Sequence, residues 1–121
     1  TVLSVDDDAI ILKLISAGLT RLGCQVLTAP SGAAALQLLE RQRVDCITLD
    51  LMMPEMSGVD VLERLSVHES WKYIPVIVVT ARGDTADTMR PLYPQVVAVL
   101  AKPFTIPAMQ QAVQSAIGEF L

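Results

Sequence analysis

The sequence predicts a doubly wound α/β sandwich: a five-stranded parallel sheet with helices on both faces. Three observations predict it. Five apolar runs of strand length recur along the chain, at Val2–Val5, Cys24–Leu27, Cys46–Leu49, Val76–Val79 and Val96–Leu100. The segments between them carry apolar residues at three- and four-residue steps, the helical period. The runs are continuous rather than alternating, as strands covered on both faces require. A strict β-α alternation of this kind closes into a parallel sheet through helical crossovers.

The elements follow in order. Val2–Val5 is the first strand. Ile11, Leu14, Ile15, Gly18, Leu19 and Leu22 then form a stripe on the first helix, with Lys13 and Arg21 off it. Cys24–Leu27 reads as the second strand. Ser31 is placed to cap a helix running to Arg41, with Ala35, Leu36 and Leu39 turned inward. Cys46–Leu49, rich in branched residues, is the third strand. A third helix spans Gly58–Val67, burying Leu62 and Leu65. The fourth strand is Val76–Val79. After it, Pro91 and Pro94 fall where a fourth helix belongs, and proline breaks a helix interior. A short helix over about Thr85–Arg90 and an irregular link are therefore expected. Val96–Leu100 closes the sheet. Thr105 caps the last helix, with Pro107 in its first turn and Met109, Ala112, Val113, Ala116, Ile117 and Phe120 on its stripe.

Composition narrows the function without naming it. The 121 residues are 52% hydrophobic and 18% charged, enough for one core and too apolar for intrinsic disorder. The chain starts at Thr1, almost inside a strand, and reads as a single domain, 1–121, trimmed from a longer protein. The longest apolar runs fall far short of the ~20 residues a membrane span needs, and no signal peptide is evident. The net charge of −4 argues against direct nucleic-acid binding, which rests on Lys and Arg. A cytoplasmic setting is expected, with Cys24 and Cys46 as buried reduced thiols on strands. His68, the single histidine, belongs on the surface near a helix end.

In doubly wound sheets ligands bind beyond the carboxyl ends of the strands. The first run is followed there by Asp6, Asp7 and Asp8, the third by Asp50, the fourth by Thr80 and the fifth by Lys102. Asp8 suits a helix N-cap. Asp6, Asp7 and Asp50 converge instead. Two carboxylates ~5 Å apart repel by about 3 kcal/mol at an effective dielectric of 20, so the cluster calls for a dication or a proton. An all-oxygen site at a solvent-facing edge suits Mg²⁺. With Lys102 and Thr80 beside it, the set fits phosphoryl transfer, in which a carboxylate such as Asp50 can serve as nucleophile.

These residues resemble the receiver domain of two-component response regulators, of the CheY-like superfamily, over essentially the whole chain. The matching stretches are Val5-Asp6-Asp7-Asp8, Asp50-Leu51-Met52-Met53-Pro54-Glu55-Met56-Ser57-Gly58, Thr80-Ala81 and Lys102-Pro103-Phe104. The resemblance implies the flavodoxin-like strand order 2-1-3-4-5. It implies that Asp50 accepts a phosphoryl group from a histidine kinase or histidine phosphotransfer protein. Asp7 and Asp50 would ligate Mg²⁺ directly, Asp6 mainly through water, and Met52 through its backbone carbonyl. Thr80 would be the switch hydroxyl, and Lys102 would pair with the phosphoryl group. The Lys102–Pro103 bond would be cis, Gly58 would permit a tight loop, and small Ala81 would leave the site open. Effector contacts would run through the fourth helix, fifth strand and fifth helix. Such a domain signals rather than acting on a separate substrate, promoting its own phosphorylation and slow dephosphorylation.

The chain departs from the pattern in three places. Val99 stands where similar domains carry the Tyr or Phe of the switch, which predicts an altered coupling. Tyr93-Pro94-Gln95 replaces a Gly-Ala pair before the fifth strand, giving an unusual surface. Met52 and Arg82 occupy positions that tune phosphoryl lifetime, and an apolar Met52 should orient water poorly, predicting slow self-hydrolysis. Three alternatives remain open on sequence. One is a degenerate receiver that docks partners without phosphorylation. Another is a haloacid-dehalogenase-like phosphatase using Asp6-x-Asp8. The third, an FMN carrier, is opposed by three aspartates where the phosphate would lie.

Overall fold

A computed structural model describes residues 1–81 and 91–118. The expected short helix over Thr85–Arg90 lies outside the described residues, as do Arg82 and Phe120. Five strands, β1 (Val2–Val5), β2 (Val26–Ala29), β3 (Cys46–Asp50), β4 (Val76–Thr80) and β5 (Val96–Ala101), form one parallel sheet in the order 2-1-3-4-5. The helices described are α1 (Ala9–Thr20), α2 (Gly32–Arg41), α3 (Gly58–Ser66) and a C-terminal helix (Ile106–Gly118).

Side-chain alternation along each strand separates two cores. Leu3, Val5, Ile47, Leu49, Val76 and Val78 face α2 and α3, meeting Ala35, Leu39, Val61, Leu62 and Leu65. Val2, Cys46, Ile77 and Val79 face α1 and the C-terminal helix, meeting Ile15, Leu19, Met109, Val113 and Ala116. β1, β3 and β4 are buried along their whole length, which is why their runs are continuous. Edge strand β2 is only half-buried.

The caps expected at Asp8, Ser31 and Thr105 are formed, and α3 adds one at Ser57. Asp8 Oδ1 accepts from the N–H groups of Ile10 and Ile11 at the start of α1. Ser31 caps α2, and Ser57 with Asp60 forms a capping box on α3. Thr105 Oγ1 accepts from Ala108 N in the last helix. His68 follows α3 and stacks on Trp71, with ring centroids 3.6 Å apart.

Two readings need correction. Cys24 is not on a strand. The chain leaves α1 through Gly23 at φ +88°, and Cys24 N donates to Leu19 O, so this backbone closes the helix and pairing begins only at Val26, opposite Val2. Leu14 is not turned inward: it is 54% exposed, while Leu12 is buried. α1 is apolar on most sides, and the C-terminal helix selects its buried face. A Cβ on Gly18 would meet Ile106 Cγ2 at 2.6 Å, and Gln110 Nε2 donates to Gly18 O.

β4 and β5 shift register between Val76↔Val96 and Ile77↔Ala98. Val99 then lies opposite Val78 and packs on the α2–α3 side, whereas Val97, Ala98 and Leu100 pack on the other. At the start of β5, Gln95 is buried and its Nε2 donates to the carbonyls of Trp71 and Ile74. Tyr93 Oη donates to Glu63 on α3. The Tyr93-Pro94-Gln95 link thus fastens β5 to neighbouring elements through side chains.

Candidate functional site

The polar residues gather at the carboxyl edge of the central strands. β3 ends on Asp50 and β4 on Thr80, so both are strand residues rather than loop residues. Asp6 follows β1 directly, and its N–H donates to Ala29 O. Lys102 follows β5 and donates through its backbone to Thr80 O at 2.8 Å. Adjacent strand order therefore brings together groups distant in sequence.

Asp6, Asp50 and Thr80 are buried, and Asp7 is exposed at the mouth. Asp6, Asp7 and Asp50 each offer a carboxylate oxygen, and these oxygens lie within 4.8 Å of one another. Lys102 Nζ bridges the buried pair, at 3.0 Å from Asp6 Oδ2 and 3.5 Å from Asp50 Oδ2. Backbone donors hold the other oxygens: Asp8 N to Asp6 Oδ1 at 2.9 Å and Met52 N to Asp50 Oδ1 at 3.2 Å. These two backbone donors were not legible in the sequence, because they depend on the curl of the loops that follow each strand.

Burial is the main force on Asp50 and raises its pKa above the ordinary carboxylate value; the charge of Asp6 adds to this, while Met52 N–H and Lys102 oppose it. For Lys102, burial alone would lower the pKa. The hydrogen bond and charge of Asp6, joined by Asp50, outweigh it, and the net shift is upward. Three carboxylates against one ammonium leave two negative charges in a small volume.

The donor set fits a small hard dication. Ligand oxygens around an octahedral ion at about 2.1 Å sit roughly 3–4 Å apart, and the three carboxylates, within 4.8 Å of one another, approach that spacing. The loop after Asp50 is shaped to stay close. Gly58 N donates to Leu51 O, and a Cβ on Gly58 would run into Asp50 O and meet Leu51 Cα at 2.6 Å. Only glycine allows that approach. Glu55 takes a left-handed φ of 64° within the same loop. Met52 projects outward and is 66% exposed. The Lys102–Pro103 bond is cis, as expected. Cys46 lies at the far end of β3, where burial pushes its thiol up to about 12; both cysteines are free.

The response regulator receiver domain family matches residues 2–114. The transcriptional regulatory protein GlrR of Escherichia coli K12 is 37% identical over 117 residues, covering 97% of this chain and 26% of GlrR. The chain thus spans about a quarter of that relative's length. The polar-differentiation response regulator DivK of Brucella ovis is 30% identical over 119 residues, covering 98% of this chain and 97% of DivK. Among solved structures, the receiver domain of a sensor histidine kinase from Pseudomonas aeruginosa PAO1 superposes with a TM-score of 0.84 at 31% identity. The alignment covers 97% of this chain and 96% of that one, which was solved with a magnesium ion coordinated in its active site cleft. Sheet order, acidic cluster and sequence relationship agree, and the chain belongs to the response regulator receiver domain family of two-component systems.

Proposed function

We propose that the chain accepts a phosphoryl group on Asp50 from a histidine kinase or histidine phosphotransfer protein, and that this switches a partner-binding face. One observation carries the reading. Asp50 and Asp6 are buried side by side under a single lysine, with Asp7 within reach, an arrangement that costs stability unless it holds cationic and phosphoryl ligands.

An oxygen of Asp50 attacks phosphorus in line. The bond from phosphorus to the donor's imidazole nitrogen, or to the oxygen of a small acyl phosphate, breaks and the leaving group takes the electron pair. Asp7, Asp50 and the Met52 carbonyl would hold Mg²⁺ directly, and Asp6 would act mainly through water. The bound dication supplies charge neutralisation for the transferred group. Lys102, now bridging Asp6 and Asp50, turns from Asp50 to the phosphoryl oxygens. Thr80, at the end of the neighbouring strand, donates its hydroxyl to them.

Val99 offers less side-chain area for a linked movement than an aromatic residue would, so coupling runs through the β4 and β5 backbones, joined at Thr80 O and Lys102 N. The output is carried by another domain or protein, reached through the region from residue 82 through β5 and the C-terminal helix. Met52 leaves attacking water poorly oriented, so the phosphoryl group persists, with Arg82 at the other tuning position.

The test is incubation with a small acyl phosphate and Mg²⁺, followed by intact mass. The wild type should gain one phosphoryl group, lost over minutes or longer, and Asp50→Asn should gain none. A wild type that gains nothing, or an Asn variant that still gains one, removes the proposal.

A further inference from the structure

We propose that the outer face of α3 is a docking groove for a cationic amphipathic helix of a partner protein. Asp60, Glu63, Arg64 and Val67 stand at i, i+3, i+4 and i+7, so they form one stripe along α3 and its C-cap, about 10 Å long. This stripe, with Ala33, Glu55 and Met56, lines a cavity of about 680 Å³. Met56 precedes α3, and Val67, its C-cap, is 80% exposed. The groove therefore has an apolar patch at each end and charge between them.

The charge is negative. Glu55, Asp60 and Glu63 face a single Arg64, and among the described residues none of these four joins an ion pair. The hydrogen bonds that Asp60 and Glu63 accept, from Ser57 N and Tyr93 Oη, come from neutral donors and leave the charges unbalanced. A complementary helix carries an apolar residue, two Lys or Arg one turn on, and a second apolar residue after two turns. A second copy of this chain fits poorly, because its own α3 would bring like charges together.

The probe is an amidated 15-residue peptide presenting Leu, Lys, Lys and Leu at i, i+3, i+4 and i+7 of one face. It is titrated into ¹⁵N-labelled protein with saturating Mg²⁺, so that the acidic pocket beside Asp50 does not compete. Amide shifts should move at Ala33, Met56 and Val67 and stay still at Asp6, Asp7 and Asp50. Val67→Asp and Glu63→Gln, whose sites are exposed, should each weaken binding about fivefold with unchanged spectral dispersion. A scrambled peptide of equal charge should bind more weakly than the probe. Shifts centred on Asp50, equal binding of the scrambled peptide, indifference to both substitutions, absence of binding, or self-association through α3 would each overturn the proposal.

Discussion

Cys46 and Asp50 stand at opposite ends of β3, and burial pushes both toward their neutral forms. Their surroundings differ. Cys46 belongs to the core that includes Val2, Leu19, Ile77 and Val113, and burial dominates its thiol. Asp50 meets a lysine, a backbone N–H and two further carboxylates. The same contrast holds for the two ends of the sheet. At the amino edge, no like charges crowd together: Gln95 Nε2 serves two carbonyls, and only its buried Oε1 lacks a partner among the described residues. At the carboxyl edge, like charges are crowded together. One end holds the fold, and the other stores the electrostatic cost that ligands would relieve.

The contrast can be broken most severely at Gly58. Gly58→Ala puts a methyl group into the Asp50 and Leu51 backbone, which cannot yield as a side-chain tip can. A loss of about 3 kcal/mol in urea denaturation is expected. Gly118→Ala, with open space around it, should be neutral or slightly stabilising.

Next come a matched pair of substitutions, one at each end. Gln95→Ala orphans the carbonyls of Trp71 and Ile74 and should cost about 2 kcal/mol at any pH. Lys102→Ala leaves two buried carboxylates without their shared cation and should cost a similar amount, about 2 kcal/mol, near pH 7. Its cost depends on pH. The pKa of Lys102 is raised on folding, so its contribution is full below the ordinary lysine range and fades as pH rises through the higher folded value. At acid pH the contribution fades too, as the Asp50 carboxylate protonates. Denaturation across pH separates the two variants, and parallel pH profiles would break the comparison.

The smallest effect concerns reactivity. At pH 8 iodoacetamide should label half-buried Cys24 slowly and leave Cys46 untouched, as peptide mass mapping reads directly. Equal labelling, or a Cys24–Cys46 disulfide formed without unfolding, would show that the amino edge is looser than its contacts imply.

Much of this contrast is legible in the sequence. The buried strands β1, β3 and β4 are continuous apolar runs, and the residues closing them, Asp6, Asp50 and Thr80, meet because strand ends meet. Lys102 is found the same way. The start of β2 was not legible, because Cys24 is apolar yet its backbone is committed to ending α1. Nor was the buried face of α1 legible, since Ile10, Ile11, Leu12, Leu14 and Ile15 satisfy several helical stripes at once and only the approach of Ile106 to Gly18 decides among them. The clamp at Gln95 depends on carbonyls more than twenty residues away, and no local pattern announces such a partner.

The most direct test of the stored cost at the carboxyl edge is urea stability of the wild type and Asp50→Asn, each with and without Mg²⁺. Because the pKa of Asp50 is raised on folding, the unfolded carboxyl ionises first as pH rises, and Asp50 drains stability between its ordinary and raised values and holds it down above them. At pH 7 without metal, Asp50→Asn should therefore be more stable than the wild type. Mg²⁺ at a hundred times its Kd should stabilise the wild type by about 2.7 kcal/mol and the Asn variant far less. A wild type indifferent to Mg²⁺, or an Asn variant that is less stable than the wild type and responds to Mg²⁺ equally, would contradict the account.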